Sequence, residues 1–231
     1  MSGLINYRRG ASGACMSPLI RIGVFFDGGY FNEVSNYYKF VHARGARLSI
    51  QGVHSFIRTK SAEKEGVDPA VCQIVDSHYF RGRFATDSVV AAGKLEDERR
   101  FDEVLMYSGV TPHYLPLDES RIKPQEKGID LYLSIEALYR ALRLGYDIVA
   151  LVACDGDYVP LVRKLNGVGT RVMLLAWDFA YDFEWNGEAR HKETRTSAQL
   201  VESATYPMRM DEIVGQADTS GEAAVDGLFI R

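Results

Sequence analysis

Three short runs of this chain are apolar almost without interruption, at residues 21–27, 147–153 and 171–177. Strands with one face in water alternate apolar and polar residues, whereas strands covered on both faces are apolar throughout. The segments between these runs have the periodicity or composition of helices. Alternation of buried strands with helices is typical of a parallel sheet between two helical layers. We therefore predict an α/β fold with a mostly parallel central sheet.

The other elements are predicted from periodicity and from proline and glycine positions. Two further strands are expected at 71–80 and 110–117, the second one short or peripheral because it contains two prolines. Helices are expected at 30–43, 49–64, 94–108, 131–144 and 158–166, and a polar loop at 81–93. The helix at 131–144 is amphipathic, since apolar residues recur on one face at Leu131, Ile135, Leu138 and Leu142.

The length of 231 residues favours one large domain. We predict a flexible N-terminal extension at 1–17, a domain at 18–177 and a C-terminal extension at 178–231, flexible around 217–226. The start of the C-terminal extension is too aromatic for a linker, with Phe179, Tyr181, Phe183 and Trp185. We expect it to pack on the domain or on a second subunit, so that a homodimer is one expected arrangement.

Composition excludes several classes of protein. Hydrophobic residues make up 46% of the chain and charged residues 25%, which excludes a disordered or fibrous chain. No apolar run approaches the roughly 20 residues of a membrane span. The three cysteines have no metal-ligand or redox spacing, and the N-terminus lacks the apolar stretch of a signal peptide. These features favour a reducing, cytoplasmic location and no membrane partner.

The net charge of −4 does not argue against nucleic acid as a partner. Residues 202–231 contain six acids and two bases, so this segment alone accounts for the whole excess. The remaining residues balance at 25 bases and 25 acids. A local phosphate-binding site in the body of the protein is therefore compatible with the overall charge.

Four aspartates follow predicted strands or begin predicted helices: Asp27, Asp130, Asp155 and Asp157. In an open parallel sheet these positions share the crevice at the carboxyl edge, where ligands bind, so we expect the four side chains to converge there. Clustered carboxylates repel one another unless a cation neutralises them, and oxygen ligands suit Mg²⁺ or Mn²⁺. This donor set is the one needed for metal-assisted hydrolysis of a phosphodiester bond.

Each aspartate also has a structural alternative. Asp130 and Asp157 precede apolar helical segments and could be N-caps, and Asp155 lies in a turn where Asp is common. Asp27 is harder to explain in this way, because a charge at the end of a buried strand needs a partner. Capping alone does not readily explain all four positions together.

Three blocks of sequence resemble the NYN-domain family of PIN-like nucleases, in its LabA-like branch. They are Asp27-Gly28-Gly29-Tyr30-Phe31, Lys127-Gly128-Ile129-Asp130, and the run from Leu151 to Leu161 that contains Asp155-Gly156-Asp157-Tyr158. The similarity covers residues 21–177. The resemblance implies a Rossmann-like α/β/α sandwich and a metal-dependent ribonuclease site in which Asp27, Asp130, Asp155 and Asp157 hold Mg²⁺ or Mn²⁺.

The sequence departs from the family pattern at two positions. Many members carry Asn three residues after the first aspartate, where this chain has Tyr30, and the nearest amide is Asn32. The small polar pair that usually precedes the third acid is Ala153-Cys154 here, and a thiol is a poorer hydrogen-bond donor than a hydroxyl. These departures motivate the alternative of a module that keeps the fold but does not cleave RNA.

A phosphodiester substrate needs positive charge near the acids. The candidates are Lys127, Arg81 and Arg83, with Arg121 and Lys123 in the same polar linker as Lys127. Nearby aromatic residues are candidates for stacking on single-stranded bases: Tyr30, Phe31, Tyr79, Phe80 and Tyr158. Two histidines in the predicted strands, His78 and His113, lack a second ligand at metal spacing and are expected to be structural.

We predict a metal-dependent ribonuclease that acts on single-stranded or structured RNA. The alternative is a non-catalytic RNA- or protein-binding regulatory module on the same fold, and a third hypothesis is a small-molecule phosphohydrolase using the same acidic crevice. The chain has no GxSxG, Walker or GxGxxG motif, which argues against a serine hydrolase, a P-loop NTPase and a typical dinucleotide-binding protein.

Overall fold

The computed structural model describes residues 19–120, 127–185, 188–220 and 223–230. The strands in these ranges are β1 (Ile20–Asp27), β2 (Arg47–Leu48), β3 (Cys72–Arg83), β4 (Thr111–Pro116), β5 (Ile148–Val152), β6 (Arg171–Ala176), β7 (Phe179–Trp185), β8 (Glu188–Thr194), β9 (Tyr206–Arg209) and β10 (Phe229–Ile230). The α-helices are α1 (Gly28–Phe40), α2 (Ile50–Glu65), α3 (Thr86–Ala91), α4 (Leu95–Tyr107), α5 (Ile129–Leu144), α6 (Val159–Gly167), α7 (Ala198–Ser203), α8 (Met210–Ser220) and α9 (Ala223–Asp226).

The central sheet has six strands in the order β4-β3-β1-β5-β6-β9, and every neighbouring pair is parallel. The predicted α/β sandwich with a mostly parallel sheet is therefore confirmed. The two most central strands are β1 and β5. All of β5, and β1 apart from Arg21 and Asp27, is apolar because helices cover both faces of these strands. The prolines in β4 are tolerated because this strand lies at the edge of the sheet.

The two faces of the sheet carry separate hydrophobic cores. Along β1, Val24 and Phe26 point into a core formed with α1, α2, α4 and α8, which we call the α1 face. Phe25 points the other way, into a core formed with α5, α6 and α7, which we call the α5 face. Since side chains alternate along a strand, each strand end can direct residues to both faces of the carboxyl edge.

The helix α5 is found where a helix was predicted, but its buried face differs from the pattern used to predict it. Leu131, Ile135 and Leu142 are 65%, 57% and 60% exposed, respectively. The core contacts come from smaller and more regularly spaced residues, namely Ile129, Leu133, Ala137 and Ala141. The close packing of α5 against the sheet requires the small alanines, which the apolar pattern alone did not favour.

Two segments read as irregular from the sequence form regular structure. The expected loop at 81–93 begins with the last residues of β3 and contains α3. After Trp177 no pattern was found, yet this part contains the antiparallel hairpin of β7 and β8 and supplies β9, the sixth strand of the main sheet. The boundary placed at 177 therefore falls within one sheet. Ala217 and Val225, from the segment expected to be flexible, are buried in the α1-face core.

The C-terminal part packs closely on α2 at Gly52. A Cβ atom at this position would collide with the backbone carbonyl oxygen of Gly227. In addition, the Ser49 amide donates to the Leu228 carbonyl at 2.7 Å, and β10 pairs with β2. The absence of a side chain at Gly52 thus allows residues 225–230 to contact the helix directly.

We expect Gly52→Ala to reduce the free energy of unfolding by about 1–3 kcal/mol, because the backbone at Gly227 has to move. The matched control is Gly167→Ala in α6, where nothing lies within 4 Å of the added Cβ. Replacing this second glycine should leave stability unchanged or raise it by up to about 1 kcal/mol. Urea unfolding of both variants measures the difference, and equal effects would show that the contact at Gly227 contributes nothing.

Candidate active site

Asp27 lies at the carboxyl end of β1 and caps α1. Its Oδ1 atom accepts a hydrogen bond from the Tyr30 amide at 3.0 Å. The next residue must be small, since a Cβ at Gly28 would lie 2.6 Å from the Phe80 carbonyl oxygen and collide with the Tyr79 ring. The sequence Asp-Gly therefore produces an immediate strand-to-helix turn that leaves the other carboxylate oxygen of Asp27 directed to the α5 face.

Asp27 and Asp130 are brought together by the buried side chain of Tyr158. Its hydroxyl lies 3.1 Å from Asp27 Oδ2 and 2.9 Å from Asp130 Oδ1. A phenol has one proton and can donate to one carboxylate at a time. Burial, and then the negative charge of Asp27 and Asp130, raises the pKa of Tyr158 far above its usual value, so the hydroxyl stays protonated.

Asp155 and Asp157 follow β5 but do not share this hydroxyl. Asp155 Oδ1 accepts from the Asp157 amide at 3.0 Å and caps the short 3₁₀ turn Gly156–Tyr158, and both side chains are exposed. Two of the four aspartates are therefore N-caps, namely Asp27 of α1 and Asp155 of the 3₁₀ turn. Asp157 and Asp130 are not N-caps, because the residues at the helix N-caps are Tyr158 and Gly128.

Cys154 lies among several of these acids. Burial raises the pKa of its thiol to about 12, and the negative charges of Asp27, Asp155, Glu33 and Asp178 add to the shift. The thiol is therefore neutral, and it lies near Asp27 and Asp155 at the carboxyl edge. We call Asp27, Asp130, Asp155 and Asp157 the acidic edge.

Sequence reasoning missed Asp178 and Glu33. Asp178 comes just after the end of β6, so the rule that selected Asp27 would also have selected it. Its carboxylate accepts from the Thr196 amide and hydroxyl, both at 2.7 Å, and from Arg209 at 3.2 Å. Glu33 lies on α1 and pairs with Lys192 of β8 at 2.8 Å, and no strand-end signal marks it.

Tyr30, which stands at the position of the family asparagine, has a structural contact. Its hydroxyl donates to the Trp177 carbonyl at 2.8 Å and accepts from the Trp177 amide at 2.6 Å. These two hydrogen bonds connect the start of α1 to the residue that follows β6. Burial raises the pKa of the Tyr30 phenol well above its usual value. Tyr30 is therefore directed into the core and away from a substrate.

The side chains of the acidic edge are of the type that binds a divalent cation, but they are not arranged around a common point in this structure. Carboxylate oxygens are the ligands that Mg²⁺ and Mn²⁺ prefer. Across the described ranges, no group of three or more His, Cys, Asp or Glu side chains is arranged to hold a metal ion. The expected convergence of four carboxylates is therefore seen directly only for Asp27 and Asp130, whose shared contact is the Tyr158 hydroxyl.

The predicted cations are placed differently from one another. Arg81 and Arg83 lie at the end of β3 and form ion pairs with Glu98 and Asp102 of α4, on the α1 face of the sheet. Asp27 and Asp130 meet on the opposite face, so the structure does not bring the two arginines into contact with them. Lys127 is exposed and comes three residues before Asp130. The other two predicted cations, Arg121 and Lys123, lie outside the described residues.

His78 and His113 belong to a hydrogen-bonded chain between β3, β4 and α5. His78 Nε2 lies 2.7 Å from Asp76 Oδ1, and its Nδ1 lies 3.0 Å from His113 Nε2. His113 Nδ1 in turn lies 3.0 Å from the Tyr132 hydroxyl. Burial lowers the pKa of both His78 and His113, so each is neutral near pH 7. Because Asp76 can only accept, His78 then carries its proton on Nε2, and the contact between the rings puts the proton of His113 on Nε2 as well. The structural role expected for both histidines agrees with these contacts.

Stability should fall as the pH falls from about 6.5 to about 4. Burial lowers the pKa of both His54 and His113 to about 4, whereas an unfolded chain takes up these protons near pH 6.5. Acid therefore favours the unfolded state over this interval, and the stabilisation is complete only above it. Urea unfolding at pH 7, 5.5 and 4.5 should show a weaker pH dependence for His54→Gln, but not for His191→Gln on the exposed hairpin.

Replacing Tyr158 by Phe should destabilise the protein by about 1–3 kcal/mol at pH 7 in EDTA. The variant leaves two carboxylates close together without their common donor. The control is Tyr206→Phe, which removes a hydroxyl bonded at 2.9 Å to the single carboxylate of Glu65. Urea unfolding measures both variants, and a loss no larger for Tyr158→Phe than for Tyr206→Phe would contradict repulsion between Asp27 and Asp130.

A solved structure shares the fold of this chain. A protein of unknown function from Vibrio parahaemolyticus superposes with a TM-score of 0.54 at 15% sequence identity, covering 92% of this chain and 97% of that one. The PatG macrocyclase in complex with peptide gives a TM-score of only 0.24 at 13% identity, over 68% of this chain and 50% of that chain. No curated protein matches the sequence.

The family model described as NYN domain matches residues 21–208. This range extends from β1 to β9, so it contains all six strands of the main sheet and the whole acidic edge. No helix in the described part of the chain is both long and apolar enough to cross a membrane. The sequence match and the parallel α/β sandwich agree, and the chain belongs to the NYN domain family, a family of nuclease type.

Proposed function

We propose that the protein is a metal-dependent ribonuclease that hydrolyses RNA phosphodiester bonds at the acidic edge. The observation that carries the proposal is the meeting of Asp27 and Asp130 at the buried Tyr158 hydroxyl, with Asp155 at the end of the neighbouring strand β5. Membership of the NYN family supports a nuclease. The topology supports the location, because β1 and β5 are the strands at which the order along the sheet reverses.

Asp27, Asp130 and Asp155, with Asp157 beside them, are the residues that would hold Mg²⁺ or Mn²⁺. When bound, such an ion supplies an activated water and stabilises the charge that develops on the phosphate. In this proposal Tyr158 fixes the separation of the first two carboxylates, and the cap formed with the Tyr30 amide fixes the orientation of Asp27. The neutral Cys154 thiol adds no further negative charge against a phosphate.

Lys127 is the cation best placed to attract the RNA backbone. It is exposed and lies next to Gly128, whose φ of 82° turns the chain into α5 just before Asp130. A single exposed lysine contributes to affinity through the phosphate charge and the release of counterions. Arg81 and Arg83 have a smaller part in the proposal than the sequence suggested, because Glu98 and Asp102 already neutralise them.

The test is cleavage of a labelled single-stranded RNA with Mn²⁺, with Mg²⁺ and with EDTA. Asp27→Asn and Asp130→Asn should each lower the rate by about 100-fold or more, since several kcal/mol of charge stabilisation are lost. Asp182→Asn is the matched control, because this carboxylate is 86% exposed on the hairpin. Cleavage that persists in EDTA, or in both site variants, would contradict the proposed chemistry.

A second candidate is a non-catalytic module that binds RNA or protein. The position of the Tyr158 hydroxyl favours it, since this hydroxyl lies between Asp27 and Asp130, where a shared cation would have to bind. Binding of the RNA with no turnover under any metal would support this candidate. Turnover that depends on Asp27 and Asp130 would exclude it.

A further inference from the structure

A wide cleft in the described part of the protein lies apart from the acidic edge. It is a cleft of about 730 Å³ on the α1 face, between α1, β2 and the segment that contains α3 and α4. A volume of this size is typical of pockets for small organic ligands. None of the four aspartates lines it, and Arg81 does. The cleft is therefore a separate feature of the surface that the acidic edge does not account for.

The walls of the cleft combine aromatic rings with a few polar groups. Phe31 and Tyr79 belong to the core side of the cleft, whereas Phe84 lies in the α3 wall and is 41% exposed. Hydrogen-bonding side chains are supplied by Asn32 and Ser88. Flat apolar surfaces beside amide and hydroxyl groups suit a planar heteroaromatic ring that also forms hydrogen bonds.

The charges around the cleft nearly cancel. Its lining contains four cations and three acids: Arg47, Arg81, Lys94 and Arg100, and Asp97, Glu98 and Glu119. Arg81 is paired with Glu98, and Glu119 accepts from the Ala85 amide and the Ser88 hydroxyl. A site for a polyphosphate would carry a marked positive excess, so the balance favours an uncharged ring with no more than one phosphate nearby.

The cleft and the acidic edge are connected through α1. Asp27 caps this helix, and Phe31, which lines the cleft, is one helical turn further along the chain. The Tyr79 hydroxyl donates to the Gly28 carbonyl at 2.8 Å, so the residue after Asp27 touches a wall residue of the cleft. The two features therefore share α1 but open on opposite faces of the sheet.

We infer that this cleft binds a nucleotide through its base. The inference goes beyond the proposed ribonuclease function and does not depend on it. Phe84 is the stacking residue, and Asn32 and Ser88 are the hydrogen-bonding residues. Lys94, exposed at the N-terminus of α4, is the cation at the rim for the phosphate of the same nucleotide.

The first test measures binding of AMP, GMP, CMP and UMP by calorimetry in EDTA, with inorganic phosphate as the comparison. At least one nucleotide should bind more tightly than phosphate. Phe84→Ala should weaken that binding by about fivefold or more, as loss of a stacked aromatic does, and Lys94→Gln should weaken it less. Both side chains are at the surface, so the variants should fold, which thermal unfolding checks.

The matched controls are Tyr107→Ala, which removes a 79% exposed aromatic of α4 outside the cleft, and Lys164→Gln on α6. Neither should change nucleotide affinity. Absence of nucleotide binding at about 10 mM, roughly tenfold above a Kd of 1 mM, would overturn the inference. Equal affinity in wild type and Phe84→Ala would overturn it as well.

RNA cleavage separates this inference from the proposed function. If RNA is cleaved and Phe84→Ala cleaves and binds nucleotides as wild type does, the cleft is not a base site and the nuclease proposal stands. If nucleotides bind through Phe84 while no metal supports cleavage, the base site stands and the nuclease proposal fails. Weaker nucleotide binding by Phe84→Ala, together with metal-dependent cleavage of RNA by the wild-type protein, is the result expected when both are correct.

Discussion

One buried hydroxyl connects the parts of this protein from which a function can be argued. The Tyr158 hydroxyl contacts Asp27 at the end of β1 and Asp130 in the first turn of α5, and Tyr158 itself ends the turn that follows β5. Three separate segments of the chain therefore meet at one atom. The phenol has one proton for two carboxylates, so it can donate to only one of them at a time. The negative charge of the other carboxylate is then left without this donor.

The contact with Tyr158 requires a fixed position for Asp27, and the backbone around Asp27 is held on both sides. Asp27 cannot move along the strand, since Gly28 packs against Tyr79 and Phe80 without room for a side chain. Tyr30 fastens the same turn to Trp177 from the other side. Fixed backbone on both sides therefore holds the Asp27 carboxylate in one position at the carboxyl edge. The cleft on the α1 face is lined by Phe31, Asn32 and Ser35 of the same helix.

The sequence predicted the layered α/β fold and most of its central elements. Continuous apolar runs identified β1, β5 and β6, because the middle of a strand with helices on both faces is buried on both sides. It did not predict β9, which has four residues and mixed polarity at the sheet edge. The hairpin of β7 and β8 also went unnoticed, although the Asn-Gly pair at 186–187 between two alternating runs is a typical hairpin signal.

The residue types and strand-end positions of the four aspartates were set by the sequence alone, as was the turn chemistry around Asp27. The distances between their side chains depended on the tertiary structure, which joined Asp27 to Asp130 through Tyr158 and gave Asp155 a capping role. Strand-end rules locate a residue along the sheet edge, but the face to which its side chain turns depends on alternation and packing. For the same reason, only the structure shows that Arg81 and Arg83 pair with α4 on the face of the sheet opposite to Asp130. The cleft, too, is formed by residues that are distant in the sequence.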